Sequence, residues 1–227
     1  MHNVLRDKSQ EITNAVSDFI NKLKDAGVSY TQLAEVEGLI KVIRVPTPQG
    51  HEHTIFLRQH SVLLFPVIRV RDAYYTLLAE EFRTGAYEKL TGLAAGSMDH
   101  GGESIQDTAR REIHEELPID LSWIKKISLI YTGNSANFVS PGNSNEQVFP
   151  VRIDLHLPQG VEIESLDKQR RGVVDEGEDI VSHVREITEN LFDELHTTGE
   201  KLALFGILRD LAKEKLACIE DSEEDSQ

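Results

Sequence analysis

A chain of 227 residues with a net charge of −15 and one cysteine, Cys218, can bury one large core but has no internal disulfide to staple it. The acidic balance excludes duplex DNA or RNA as the main partner, because phosphate contacts rely on clustered Lys and Arg. No apolar run approaches the roughly 18 residues of a membrane span, and the N-terminal stretch carries Asp, Lys and Glu instead of a signal-peptide apolar region, so no membrane is expected and a cytoplasmic protein is.

In chain order, Ile12, Val16, Phe19, Ile20 and Leu23 recur at helical spacing and predict an amphipathic helix over 9–26, ended by Gly27. Strand-like runs follow at 37–45, 53–59, 61–70 and 75–83, where β-branched and aromatic residues dominate between polar turns. A second helix is predicted from Ile105 to Leu117, with Ser104 and Asp107 as its N-terminal capping pair and Pro118 as its stop. Further strands are predicted near 126–132, 147–155 and 179–185, then two helices over 188–196 and 200–217 separated by Thr-Thr-Gly. This order is that of an α/β protein with a mixed sheet. The expected organisation is a helical appendage over 1–35, a main domain over 36–217 and an acidic disordered tail over 218–227, where Glu220 to Asp225 hold five negative charges.

The central helix carries the densest chemistry. Glu112 and Glu116 are four residues apart and Glu115 is three beyond Glu112, so the three carboxylates share a neighbourhood on one stripe. Ile105, Ala109, Ile113 and Leu117 form the opposite, apolar stripe that would pack on a sheet. Like charges at this spacing destabilise a helix, so a cation is expected to compensate them, and a divalent metal is the simplest one; a solvated acidic face is the alternative. A glycine-containing loop, Ala94-Ala95-Gly96-Ser97-Met98-Asp99-His100-Gly101-Gly102-Glu103, runs directly into this helix.

Loop and helix together resemble the Nudix box, which reads Gly, five residues, Glu, seven residues, then Arg-Glu-apolar-any-Glu-Glu-any-Gly-apolar. Glu103, seven residues and Arg111-Glu112-Ile113-His114-Glu115-Glu116 match strictly. Six residues instead of five separate Gly96 from Glu103, and Pro118 replaces the last glycine, so the loop is one residue longer and the helix exit differs. Ser140-Pro141-Gly142-Asn143-Ser144-Asn145-Glu146 resembles the Ser-Pro-Gly loop and Glu of the ADP-ribose and ADP-sugar pyrophosphatase branch, and Asp175-Glu176-Gly177-Glu178-Asp179-Ile180 resembles its late acidic loop. The resemblance covers about residues 36–215.

It implies the Nudix fold, an α/β/α sandwich around a mixed sheet, here with an added N-terminal helix and strands. It implies Mg²⁺, or Mn²⁺, held by Glu112, Glu115, Glu116 and the Ala95 carbonyl, with Glu103 and Arg111 as an ion pair bracing loop and helix. Glu176 is the first choice for the group that deprotonates or positions water, and Glu178 the second, a plain acidic turn being the alternative reading. Arg83, Gly96 and Glu146 are expected at the substrate, although a surface Arg at a strand end is nearly as good a reading of Arg83. Where relatives have a Glu that reaches the base, this chain has Gly92. His100 and His114 occupy positions open to any residue, Trp123 reads as core or interface, and Cys218 has no partner that would make it a nucleophile.

The implied reaction is metal-dependent hydrolysis of the diphosphate of a nucleoside diphosphate sugar, ADP-ribose or an ADP-sugar first, to a nucleoside monophosphate and a sugar phosphate. The alternatives are a UDP-sugar diphosphatase, a dinucleotide or nucleoside triphosphate hydrolase, and a Nudix-fold binding module that has lost catalysis. A homodimer is expected from the family's habit of sharing a pocket between subunits.

Overall fold

The structure, a computed structural model, describes residues 14–36, 40–98, 103–130, 137–173 and 177–224, with side chains to residue 217. The elements in order are helix α1 (Ala15–Asp25), strands β1 (Thr31–Val36), β2 (Ile40–Pro46), β3 (Glu52–Leu57), β4 (Ser61–Val70), β5 (Ala73–Arg83), β6 (Glu88–Gly92) and β7 (Ala95–Ser97), and helix α2 (Ile105–Glu116). Strands β8 (Ile124–Leu129), β9 (Asn137–Phe138), β10 (Gln147–Leu155), β11 (Arg170–Arg171) and β12 (Ile180–Glu186) follow, and helix α3 (Thr198–Glu224) closes the chain. Contacts divide it into two compact units: Met1–Val62 with Ala95–Arg111 and Ser135–Phe149, and Leu63–Ala94 with Glu112–Asn134 and Pro150–Gln227.

In the first unit, Asn14 caps α1 by accepting a hydrogen bond from Ser17 N at 2.9 Å. Its apolar face meets an antiparallel sheet of order β1-β2-β3, and Ile20, Ile43 and Leu57 form a small buried core ringed by Val16, Phe19, Leu23, Tyr30, Val45 and Ile55. Helix was predicted over 9–26; residues 15–25 are helical, and 9–13 lie outside the described residues. Strand β1 falls where the sequence offered only a helical appendage. All six of its residues are exposed, so no burial rhythm marks it as a strand. The strand expected at 37–45 is β2, begun at Ile40, and 37–39 lie outside the described residues.

The second unit is built on strands in the order β11-β12-β5-β4-β10-β8, with β6 beside β5. Strand β4 is buried almost without a break from Val62 to Ile68, the pattern of a strand covered on both faces. Leu64, Phe65, Ile68, Leu77, Leu78, Leu93, Ile113, Leu117, Ile153 and Ile180 make its core. On β5, Ala79 pairs with Ser182 of β12 along one edge and with Gly92 of β6 along the other. The mixed α/β class read from the sequence is the one observed.

Two late predictions are corrected. The segment 188–196 is a short 3-10 turn, Glu189–Asp193, not an α-helix: Leu191 and Leu195 are both buried and four apart, which imitates helical spacing over a span of little more than one turn. Helix α3 starts two residues before the predicted 200 and continues to Glu224, so the acidic segment read as a disordered tail is helical through that residue. Its start is set by Thr197 and Glu200, which cap each other's backbone and make Thr-Thr-Gly part of the helix entrance instead of a separator. Among the described residues, no helix is long and apolar enough to cross a membrane.

Candidate active site

At the entrance of α2, Ser104 Oγ accepts a hydrogen bond from Asp107 N at 3.1 Å and donates to Asp107 Oδ2 at 2.6 Å, the capping pair read from the sequence. Arg111 lies two turns further on and reaches back. Its Nε and Nη2 donate to the two oxygens of Glu103 at 3.2 and 3.3 Å, and Nη2 also donates to the Ser97 carbonyl at 2.8 Å. This fork ties the residue ahead of the helix and the end of β7 to the helix itself, with the Glu103 side chain only 9% exposed. Ala95 and Gly96 lie in β7, two residues or fewer from Ser97. Asp99 to Gly102, including His100, lie outside the described residues.

Further along α2 the charge is arranged differently. The stripe Ile105, Ala109, Ile113 and Leu117 is buried as read, yet Glu112 and Glu116 are buried too, at 7% and 5% exposure, while Glu115 is partly exposed and His114 exposed. Burial, and then the carboxylates of Glu112, Glu81 and Glu178, push the Glu116 carboxyl well above the usual carboxylate range, with Arg83 opposing. Glu81, on β5, is raised by burial as well; Arg83 pulls it down and Glu178 pushes it up. Arg83 Nη2 forms an ion pair with Glu81 Oε1 at 2.5 Å. Alternation along β5 puts Glu81 and Arg83 on the same face, so the Arg expected at a substrate phosphate is held by a carboxylate of its own strand.

The late acidic loop joins this group through sheet register. Strand β12 runs antiparallel to β5 with Val181 opposite Glu80, and β11 pairs with β12 so that Arg171 faces Ile180. The intervening loop therefore starts and ends beside Glu81. Gly172 N donates to the Glu115 carbonyl at 3.0 Å, tying the loop to the end of α2. Gly172 has φ +109°, and a Cβ there would lie 2.8 Å from the Glu178 Cβ, so only glycine fits. Glu178 is held in turn: its Oε2 accepts from Val173 N at 3.0 Å. Glu176 lies outside the described residues.

Glu146, expected at the substrate, belongs to the first unit. It accepts from Ser61 Oγ at 3.0 Å and pairs with Arg58 at 3.5 Å. Its neighbour Asn145 is buried, accepts from Arg58 N at 2.8 Å, and donates to the carbonyls of Arg58 and Ala15 at 3.0 and 3.1 Å. The Ser140–Glu146 loop thus locks the end of β3 to the start of α1. Trp123 ends a 3-10 turn, Leu121–Trp123, and the Cys218 side chain lies outside those described.

The structure brings Glu112, Glu116, Glu178 and Arg83 together in the second unit and pairs Glu103 with Arg111 in the first. Sequence reading missed Glu81, Gly172 and Glu200. For Glu81 a signal existed: a Glu-Glu pair at the end of an otherwise apolar strand, two residues before an Arg. The carboxylates of Glu81, Glu112, Glu116 and Glu178 are hard oxygen donors, the kind a divalent cation takes. Among the described residues, no three or more His, Cys, Asp or Glu side chains are grouped so as to hold a metal ion.

No family model matches the sequence, and no curated protein does. Solved structures do match. One is an ADP compounds hydrolase with a TM-score of 0.57 and 18% identity, the match covering 82% of this chain and 94% of that one. This likeness shows the fold: the chain has the α/β Nudix-like architecture that its box implied.

Proposed function

We propose that the protein is a Mg²⁺-dependent Nudix hydrolase that cleaves the diphosphate of a nucleoside diphosphate sugar, ADP-ribose or an ADP-sugar foremost. The observation that carries this reading is the burial of Glu112 and Glu116 on α2 beside Glu81 and Glu178, a gathering of the hard oxygen ligands that a divalent cation takes. Support also comes from the ADP compounds hydrolase that shares the fold.

Glu112, Glu115, Glu116 and the Ala95 carbonyl would hold the metal. Bound there, Mg²⁺ would neutralise the diphosphate oxygens and lower the pKa of a water. The chain's own residues have three tasks. The Arg111–Glu103 fork fixes the helix against the strand that precedes the box. Arg83, still 44% exposed beside Glu81, can turn its free donors to a phosphate oxygen. Glu176, or Glu178 beside it, takes the proton of the attacking water as the water oxygen bonds to phosphorus and the bridging P–O bond breaks. The products are a nucleoside monophosphate and a sugar phosphate.

Related enzymes have a base-reaching Glu where this chain has Gly92, so no residue at that position selects the base, and a UDP-sugar is the second substrate class. The carboxylates retained on α2 argue against a binding module without catalysis. The test is turnover of ADP-ribose, ADP-glucose, UDP-glucose, NADH and diadenosine polyphosphates with Mg²⁺ and with Mn²⁺. Metal-dependent release of AMP from the ADP-sugars is expected; activity on none of the panel overturns the proposal. We further propose a homodimer, for which light scattering should give about twice 25.5 kDa.

A further inference from the structure

Glu200 sits 107 residues beyond the strand end that it touches, and it is 5% exposed. A buried carboxylate needs donors, and this one has three from the backbone. Its Oε1 accepts from Leu93 N at 2.8 Å, and its Oε2 accepts from Thr197 N at 2.7 Å and His196 N at 3.2 Å. Thr197 Oγ1 accepts from Glu200 N at 3.2 Å, which completes a reciprocal cap at the start of α3. A cap of this kind engages the helix's own backbone. Here one oxygen is turned away from the helix and spent on another strand.

The strand end is shaped to receive it. A Cβ on residue 92 would come well inside van der Waals contact distance of Glu200 Oε1, so Gly92 is the residue that lets the carboxylate reach Leu93 N. This gives the missing side chain at 92 a physical reason: the volume it would enter is filled by a carboxylate from α3. On the other side, Leu64 N donates to the Ala94 carbonyl at 2.8 Å. Leu93 and Ala94, both buried, are thereby held from α3 and from β4, and the next residue is Ala95.

We infer that Glu200 is a positioning residue for hydrolysis, fixing through the Leu93 N–H the backbone at 93–94 that leads into the box loop, with Gly92 as its obligate counterpart. The inference rests on the proposed function, since that stretch matters to turnover only if the box that follows it serves the metal.

The E200Q variant in the full chain tests it. A glutamine has one acceptor oxygen. The orientation that orphans fewest donors turns that oxygen to His196 and Thr197 and leaves the Leu93 N–H facing an NH₂ group. The expected result is a folded protein with α3 still protected from hydrogen exchange and with faster exchange at 92–94. The Mg²⁺ concentration for half-maximal turnover should rise on the order of tenfold to a hundredfold, as when a partner of a metal ligand is lost, while KM for the nucleotide sugar moves less than about twofold. T197A is the control, because it weakens the helix cap and leaves the Leu93 contact; it should lower Tm with no change in the metal requirement.

The inference is overturned if E200Q and T197A lose only stability, if exchange at 92–94 is unchanged, or if E200Q unfolds where T197A stays folded. The exchange measurement needs no substrate. An inactive wild type therefore sinks the proposed function while the Leu93 contact is still decided, and an active wild type with an indifferent E200Q sinks this inference alone.

Discussion

The two ends of α2 handle charge in opposite ways. At the N-terminal end Glu103 and Arg111 neutralise each other through a two-pronged hydrogen bond, and the guanidinium has a donor to spare for Ser97. One turn on, Glu116 is buried among Glu112, Glu81 and Glu178, with Arg83 as the opposing cation. The first end pairs its charges within the box, and the second gathers the carboxylates on which the proposed metal site rests.

The largest expected effect is at the second end. E116Q should lower metal-dependent turnover by roughly 10³-fold, since a hard ligand is worth several kcal/mol of transition-state stabilisation. Because the Glu116 carboxyl titrates above its unfolded value, ionising it destabilises the metal-free fold. That stability is present below the ordinary carboxylate range and is lost as pH rises through the raised pKa. In EDTA at neutral pH, E116Q should melt at the same temperature as wild type or higher; a lower Tm would contradict the raised pKa of Glu116.

R111A probes the first end and should behave in reverse. Removing the fork leaves the Glu103 carboxylate buried without its partner, so Tm should fall in EDTA as well as in metal, with a loss of about 10- to 100-fold in kcat. An R111A protein of normal stability would undo the distinction between the two ends. A smaller effect, about tenfold in kcat, is expected of G172A, which needs a positive φ and presses a methyl against Glu178 while that loop is tied to the Glu115 carbonyl. Single-turnover kinetics would separate it from a binding defect.

The smallest effects belong to the first unit. E146Q weakens the contacts to Ser61 and Arg58 and should shift Tm by a few degrees, with less than about a threefold change in kcat/KM. His60 is held neutral by burial, and its Nδ1 accepts from Gln147 N at 3.2 Å. Its pKa is lowered in the fold, so its contribution is complete above about pH 6.5 and declines as pH falls from there. Denaturant midpoints between pH 7.5 and 5.5 should fall in wild type and fall less in H60Q.

What could be read in advance was what depends on neighbours in the chain. The Ser104–Asp107 cap, the Glu103–Arg111 spacing and the buried stripe of α2 are all written within fifteen residues, because a helix repeats every 3.6 residues and brings such groups together whatever surrounds it. Strand β1 escaped because every side chain on it is exposed, and the turn at 189–193 misled because two leucines four apart are also what one turn requires.

Pairings between distant segments were another matter. Antiparallel register between β5 and β12 brings Glu178 to Glu81 and Glu116, and the start of α3 delivers Glu200 into the space left by Gly92. Spacing along the chain carries no trace of either. The sequence alone settled that one helix would present three carboxylates on a stripe; only the assembled sheet decided that Glu81, Glu178 and Arg83 would join them, because hydrogen-bond register and close packing are properties of the assembled strands.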